Sequence, residues 1–374
     1  MKPTVEDIRK EPLISKIRDI KVADSSAYRS GIFITGANSF VGIHLVKLLG
    51  ERWNGPVHLL IRAEDENAAV RRMKDAFNFA ELGEFKDALY VIHTGDVCKP
   101  HMGLQNEAYN EVRKTCGYVV HLAMNPVYHY PYRHFRDIWL PELEHMLSFC
   151  CDPEYPKSLH YPSSYNAGFF TDDEDFEKLN SNAWQSGYAG FKWVANHIIS
   201  NAFRQGMSGC IYDIPLVLGS EEKGICPANY SIWHILEIFL VSGTYIDFTF
   251  RIIPVDKLAE IMLDNLLKEK SGEEGSQFIR PVLEEPVTED LFKHTAVRLL
   301  GLSYTTREQL RDSCIHKRKF DFLIPGNFYY LLDKVNHLKA VWPPEYNKSL
   351  LPSTYNVFYS NLMKVIQRQK IPSH

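Results

Sequence analysis

Residues Gly31 to Gly50 read GIFITGANSFVGIHLVKLLG, and this stretch decides the fold. It opens on Ile32-Phe33-Ile34-Thr35, the β-branched and aromatic composition of a buried strand. A glycine turn follows at Gly36. Phe40, Val41, Ile43, Leu45, Val46 and Leu49 then recur at helical spacing and supply a buried face. Strand, tight turn and helix together are the first unit of a doubly wound nucleotide-binding sheet. Gly36 lets the backbone turn sharply, and Gly42 lets the helix lie close on the strand. The helix N-terminus then offers free N–H groups and a partial positive charge to a pyrophosphate. The pattern is Gly36-x-x-Ser39-x-x-Gly42, with a serine where the middle glycine would be. Asn38, Ser39, Phe40 and Val41 complete the turn and are expected to line the cofactor. The Ser39 hydroxyl could donate to a phosphate, or its bulk could weaken binding, and the sequence leaves both open. The bland alternative for the whole motif is a structural turn between a strand and a helix.

At 374 residues the chain suits one large nucleotide domain with a smaller second one. A net charge of −4 gives no reason to expect nucleic acid. Seven cysteines without a CxxC pair read as the reduced thiols of a cytoplasmic protein. The N-terminus is charged throughout and lacks a signal-peptide core. No apolar run approaches the roughly 20 residues a membrane span needs. No metal site is expected.

Residues 1–30 read as a helical lead-in, either a packing arm or a linker left from a larger assembly-line ancestor. The second strand, Val57-His-Leu-Leu-Ile, ends in Arg62, and a helical segment at 67–77 carries Arg71 and Arg72. An acidic residue at this strand end favours NAD, whereas an arginine favours the 2′-phosphate of NADP, because guanidinium matches phosphate with parallel hydrogen bonds. The competing reading is a solvated surface arginine. Ala88–Ile92 is expected as the third strand. Asp96 follows it, placed either to accept from an adenine amino group or to cap a turn. Tyr118–Ala123 forms the fourth strand; small Ala123 leaves room for the cofactor, and His121 reads as a core histidine or a support to the site. A helix is expected over 135–151. The fifth strand is Ser158–Tyr165 with its Ser163-Ser164 pair, followed by an acidic loop, TDDEDFEKL, and a helix from Ser186 to Phe203.

That helix carries Tyr188 and Lys192, four residues apart and therefore on one face. A tyrosine with a pKa of about 10 is a poor acid at neutral pH. An ammonium about 4 Å away, at an effective dielectric near 20, is worth up to about 4 kcal/mol and lowers that value by roughly two to three units. The phenol then becomes a usable proton donor when hydride reaches a carbonyl, and the Ser164 hydroxyl can hold the developing oxyanion. Tyr-x-x-x-Lys alone is common by chance. Its weight comes from the order: a phosphate turn, a serine pair at a strand end, then the Tyr–Lys helix.

The chain resembles the extended short-chain dehydrogenase/reductases. Within them it is most similar to the thioester reductases, the terminal reductive domains of nonribosomal peptide and polyketide synthetases and of carboxylic acid reductases. The resemblance covers about residues 30–265 and is carried by TGANSFVG, LLIRA with the A-x-x-R at Ala69–Arg72, TGDVCKPHMGL, VVHLAMNPVYHYPYR, Ser163-Ser164, GYAGFKWVAN and IPVDKLAEIM. It implies catalytic roles for Ser164, Tyr188 and Lys192, with Arg62 and Arg72 on the 2′-phosphate of NADPH and Asp96 with Val97 on adenine. Pro215 and Val217, after the sixth strand, are expected beside the cofactor. The implied fold is a Rossmann-type doubly wound parallel sheet with a smaller, mostly helical C-terminal subdomain. The implied partner is an acyl or peptidyl carrier protein bearing a phosphopantetheine thioester, and the implied reaction reduces that thioester to an aldehyde, with further reduction to an alcohol left open. Three further residues and one tripeptide depart from the family pattern. Trp139 replaces the usual supporting asparagine, and Glu142 stands at a usual glycine. Phe191 precedes the lysine in place of serine, and Asp213-Ile214-Pro215 replaces Arg-Pro-Gly.

The expected division is a lead-in at 1–30, an NADP-binding domain at 31–219 to which 251–265 return, and a substrate- and carrier-facing subdomain at 220–374. Residues 229–250 and 327–332 are rich in aromatics, suited to a helical core and in part to a groove for an acyl chain. The basic run His316-Lys-Arg-Lys319 is a solvated face or a docking point for an acidic carrier. Two other functions fit the same fold: a non-redox enzyme that closes a thioester into a ring, and a non-enzymatic NADP-sensing binder.

Overall fold

The computed structural model describes residues 29–124, 132–165, 187–227, 250–273, 277–297 and 350–369, with 230, 239, 242–246, 275, 300–306, 309–310 and 342. The expected lead-in up to residue 28, the acidic loop, the aromatic run at 327–332 and the basic run at 316–319 lie outside these residues, as does most of 229–250.

A seven-stranded sheet in the order β10-β6-β5-β4-β1-β2-β3 forms the centre, and every pairing in it is parallel. Its strands are β1 Gly31–Thr35, β2 Val57–Ile61, β3 Val91–Thr94, β4 Cys116–His121, β5 Ser158–Ser164, β6 Gly209–Ile214 and β10 Phe278–Ile279. The chain starts in the middle, winds out through β2 and β3, returns to the other side of β1 as β4 and winds outward again. The order therefore reverses between β1 and β4, and the C-terminal ends of all strands share one edge, where such sheets hold their ligands.

Helices cover both faces: α1 Phe40–Arg52, α2 Glu66–Phe79, α3 Asn106–Thr115, α4 Tyr132–Cys150, α5 Gly187–Arg204 and α6 Val255–Ser271. Both faces of the central strands are covered, so β1 and β2 read as near-continuous apolar runs. Ile32, Ile34, Leu59, Ile61 and Val120 point to the α1–α2–α6 side. Phe33, Leu60, Val119, Leu159 and Tyr161 point to the α4–α5 side. The pleat alternates them between two cores.

The third strand starts later than Ala88: Asp87–Leu89 is a short 3-10 turn and β3 begins at Val91. Tyr90 causes the shift. Its ring stacks on Phe85 at 5.1 Å and its hydroxyl donates to the Val46 carbonyl at 3.1 Å. The chain is thereby pinned under α1 before it can pair.

Beyond β6 the chain forms β7 Leu216–Leu218, β8 Thr244–Tyr245 and β9 Ile252–Pro254, with β7 and β9 paired parallel. Helix α6 follows and packs on α1, and β10 then adds the outermost strand beside β6. Strand β11 Ser303–Tyr304 pairs with β8, and α7 Thr354–Gln369 closes the described chain. Among the aromatics of this region, Phe292 touches Phe239 at 5.7 Å, Tyr245 at 5.8 Å and Phe358 of α7 at 6.2 Å. Those described rings fill a core, as their composition requires. Asn361 ties α7 to the strand segment by accepting from the Gly219 N–H at 2.6 Å.

Candidate active site

The phosphate turn is made of backbone. Gly36 has φ +67°, and a Cβ there would stand 2.7 Å from the Ala123 nitrogen at the end of β4. A Cβ on Gly42 would stand 2.5 Å from the Gly36 carbonyl oxygen. Both glycines are thus required by the close stacking of helix on turn and of turn on β4. Ser39 is the N-cap of α1, and its hydroxyl oxygen accepts from the Gly42 N–H at 3.1 Å. The side chain folds back on its own helix, satisfying one of the free first-turn donors. Its hydrogen remains to donate outward. Asn38 and Val41 are half-buried beside it, and Phe40 packs inward against Tyr230 at 5.2 Å.

Arg62 stands exposed at the end of β2, and Arg72 reaches across from α2 to donate to the Arg62 carbonyl. Two guanidinium groups are therefore gathered at the strand end where a ribose 2′-substituent lies in this fold class. Asp96 takes the capping role: its carboxylate accepts from the Cys98 N–H at 3.0 Å and shapes the loop after β3, in which Val97 is buried. A glycine cradle and a capped helix N-terminus on one sheet edge fit a dinucleotide. Pro215 is buried between β6 and β7, and Val217 is buried in β7.

The other end of the candidate site is made of side chains. Tyr188 lies in the first turn of α5, buried, with its ring edge-on to Phe135 of α4 at 6.0 Å. One turn later Lys192 is also buried, and its Nζ lies 6.0 Å from the Tyr188 ring centre. Lys192 donates to the Pro162 carbonyl at 2.7 Å and to the Tyr161 hydroxyl at 3.0 Å. Burial pushes this lysine down to about 7, with the nearby Glu142 carboxylate acting in the opposite direction. Its charge at neutral pH is thus not guaranteed by the residue type, and the four-residue spacing alone gives no sign of this. Ser164 is buried at the C-terminal end of β5, two residues beyond the carbonyl that holds Lys192.

A small pocket of about 20 Å³ lies beside Lys192, walled by residues that include Ala123, Trp139, Glu142, Tyr161 and Pro162. His121 is held on both sides, with Nδ1 2.8 Å from Thr35 Oγ1 and Nε2 3.2 Å from a Glu142 oxygen. His121 thus supports the site, as its strand position suggests, whereas Glu142 stands out in the sequence only as a departure from the family pattern. A signal for Glu142 is present nonetheless: it falls on the apolar stripe Phe135, Trp139, Leu143, Met146 at helical spacing. Asp213, where the family pattern has arginine, accepts from Arg280 Nε at 2.6 Å and ties β10 to β6 beside Pro215.

A Rossmann-ordered parallel sheet, with a phosphate turn after its first strand and a Tyr–Lys helix after its fifth, is the architecture of the extended short-chain dehydrogenase/reductases. The chain belongs to the NAD-binding family whose model is described as male sterility protein, which matches residues 34–262. A nicotinamide cofactor is the cofactor class that goes with this family. A linear gramicidin synthase chain of Brevibacillus parabrevis is 24% identical over 270 residues, which are 69% of this chain and 5% of that protein. L-2-aminoadipate reductase of Schizosaccharomyces pombe is 22% identical over 64% of this chain and 18% of its own length. The chain thus spans less than a fifth of either relative. In fold it matches the terminal R domain of the myxalamid PKS-NRPS pathway with a TM-score of 0.73 at 20% identity, covering 96% of this chain and 99% of that one. No helix among the described residues is long and apolar enough to cross a membrane.

Proposed function

We propose that this chain reduces an acyl or peptidyl thioester, delivered on the phosphopantetheine arm of a carrier protein, to an aldehyde and onward to an alcohol where the aldehyde is retained, with NADPH as reductant. The observation that carries the reading is the buried Lys192 one helical turn from Tyr188, at the sheet edge that also bears the phosphate turn. The relatives, a linear gramicidin synthase, an aminoadipate reductase and a terminal R domain, support the substrate class.

The cofactor, when bound, supplies hydride. The chain's own residues do the rest. Ser164 holds the carbonyl oxygen. Tyr188 gives its proton to that oxygen as charge develops, a step worth about 10²–10⁴ in rate. Lys192 stabilises the resulting phenolate when it is charged. The hemithioacetal then breaks its C–S bond and releases the aldehyde and a free thiol. Arg62 and Arg72 select the 2′-phosphate by charge and by their paired donors. The 220–374 part faces the carrier and the acyl chain.

The test is direct: incubate the protein with NADPH and a panel of carrier-bound thioesters and free aldehydes. Absorbance loss at 340 nm that depends on both components is expected. No loss with any member, or a cyclised product formed without NADPH consumption, would defeat the reading.

A further inference from the structure

The wall of the pocket beside Lys192 contains a carboxylate that the Tyr188–Lys192 chemistry does not require. The Glu142 side chain is only 2% exposed. His121 Nε2 lies 3.1 and 3.2 Å from its two oxygens, but only the Oε2 contact has hydrogen-bond geometry, and Oε1 keeps no hydrogen-bond partner among the described residues. His121 is itself braced by Thr35, whose Oγ1 also accepts from the Ala123 N–H at 3.3 Å. Residues from β1, β4 and α4 thus hold the carboxylate in one place. A buried carboxylate fixed so firmly, with one oxygen uncommitted, needs a positive partner nearby.

Lys192 and His121 share the pocket with it, and Lys192 is the wall residue whose ordinary form at neutral pH is a cation. Two of its three ammonium protons go to Tyr161 and Pro162. The rings beside it are neutral in their ordinary form: that of Tyr161 lies 4.3 Å from Nζ and that of Tyr188 6.0 Å. The groups facing Glu142 are His121 from β4, Tyr161 from β5, Lys192 from α5 and Cys98 from the loop after β3.

We propose that Glu142, fixed by His121 and Thr35, is the buried counter-charge of Lys192, a positioning residue that sets the pH range in which the Tyr188–Lys192 pair works. Burial drives Lys192 towards the neutral amine, to about 7, and the carboxylate opposes that drift. Lys192 is charged below this value and neutral above it, so losing the carboxylate moves the change to lower pH. The catalytic consequence rests on the reductase reading, but the charge pairing does not.

The full chain, labelled with 13C at lysine Cε, reports the pairing without turnover; a Lys192→Arg variant assigns the signal. Lys192 should titrate near 7 in the parent. In Glu142→Gln it should titrate about one unit lower, tenfold in proton affinity, and Glu142→Asp should restore most of the difference. An unmoved midpoint overturns the proposal. Because coupling between two sites is reciprocal, the 13Cδ signal of Glu142 in the unmutated chain should carry a step at the Lys192 midpoint. Its absence overturns the proposal even if Glu142→Gln fails to fold. Where NADPH oxidation is measured, the alkaline limb of kcat/KM should move with the NMR midpoint. A uniform loss across pH with an unmoved limb marks mere packing and contradicts the positioning role. If the parent turns over nothing, the reductase reading fails and the two NMR arms still decide the pairing.

Discussion

At the end of β1 the cleft is built from backbone, and along the same edge, at the ends of β4 and β5, it is built from side chains. The first region needs two glycines, a cap and the free N–H groups of a helix, all contributed within the seven residues Gly36 to Gly42. The second needs Thr35, His121, Glu142, Tyr161, Pro162 and Lys192, drawn from five elements. Backbone donors carry fixed partial charges that pH does not alter. The charge of the buried lysine depends on its burial and on the carboxylate beside it. One region offers shape, and the other offers charges set by burial.

The largest expected effect separates the two regions cleanly. Tyr188→Phe should lower kcat by at least about a hundredfold, the usual size of general acid catalysis, and leave the Kd for NADPH within a few-fold of the parent. Equal losses in both would mean that the ring serves the grip rather than the chemistry. Next, Arg62→Ala should cut the preference for NADPH over NADH in kcat/KM by roughly ten- to hundredfold, since a charge-assisted bond to phosphate is worth about 1.5–3 kcal/mol. An unchanged ratio would return Arg62 to the solvated surface.

Two buried histidines in the β1–β2 half of the sheet sharpen the contrast through pH. Burial holds His44 on α1 and His58 on β2 down at about 4, and the Lys47 charge adds to the effect for His44, as His93 does for His58. His58 also stacks on His93, with ring nitrogens 2.9 Å apart. The fold keeps both neutral, while the unfolded chain binds protons below about 6.5. Stability from these groups is therefore present above 6.5 and lost as pH falls towards 4. The urea midpoint should fall between pH 7 and pH 5, and His58→Gln should flatten part of that slope. Alkali acts on the other region, through Lys192.

The smallest effect tests the cap. Ser39→Ala should cost about 0.5–2 kcal/mol of stability, and Ser39→Gly only a few tenths. If Ser39→Gly also tightens NADPH, the side chain obstructs the phosphates; if it weakens NADPH, the outward hydroxyl donates to them.

The same contrast governs how much was legible in the sequence. The alternation of strands and helices and the phosphate turn follow from local spacing: a strand, Gly36, a capped helix, then Arg62 at the next strand end. The Tyr188–Lys192 pair is equally local, four residues on one helix. Glu142 and His121 are 21 residues apart and meet only because α4 crosses the end of β4. On a helix a glutamate ordinarily reads as solvated, and only its place on an apolar stripe betrays burial. The late start of β3 has a similar cause, since Tyr90 is pinned by Val46 and Phe85, one of them 44 residues away.

Reductive release itself is tested most directly by a single turnover with NADPH carrying deuterium at the transferred position of its nicotinamide ring and a carrier-bound acyl thioester. The aldehyde, or the alcohol after a second round, should carry deuterium on the former carbonyl carbon, with one free carrier thiol per acyl group released. A released product without deuterium, or a ring closed at the expense of no NADPH, would contradict it.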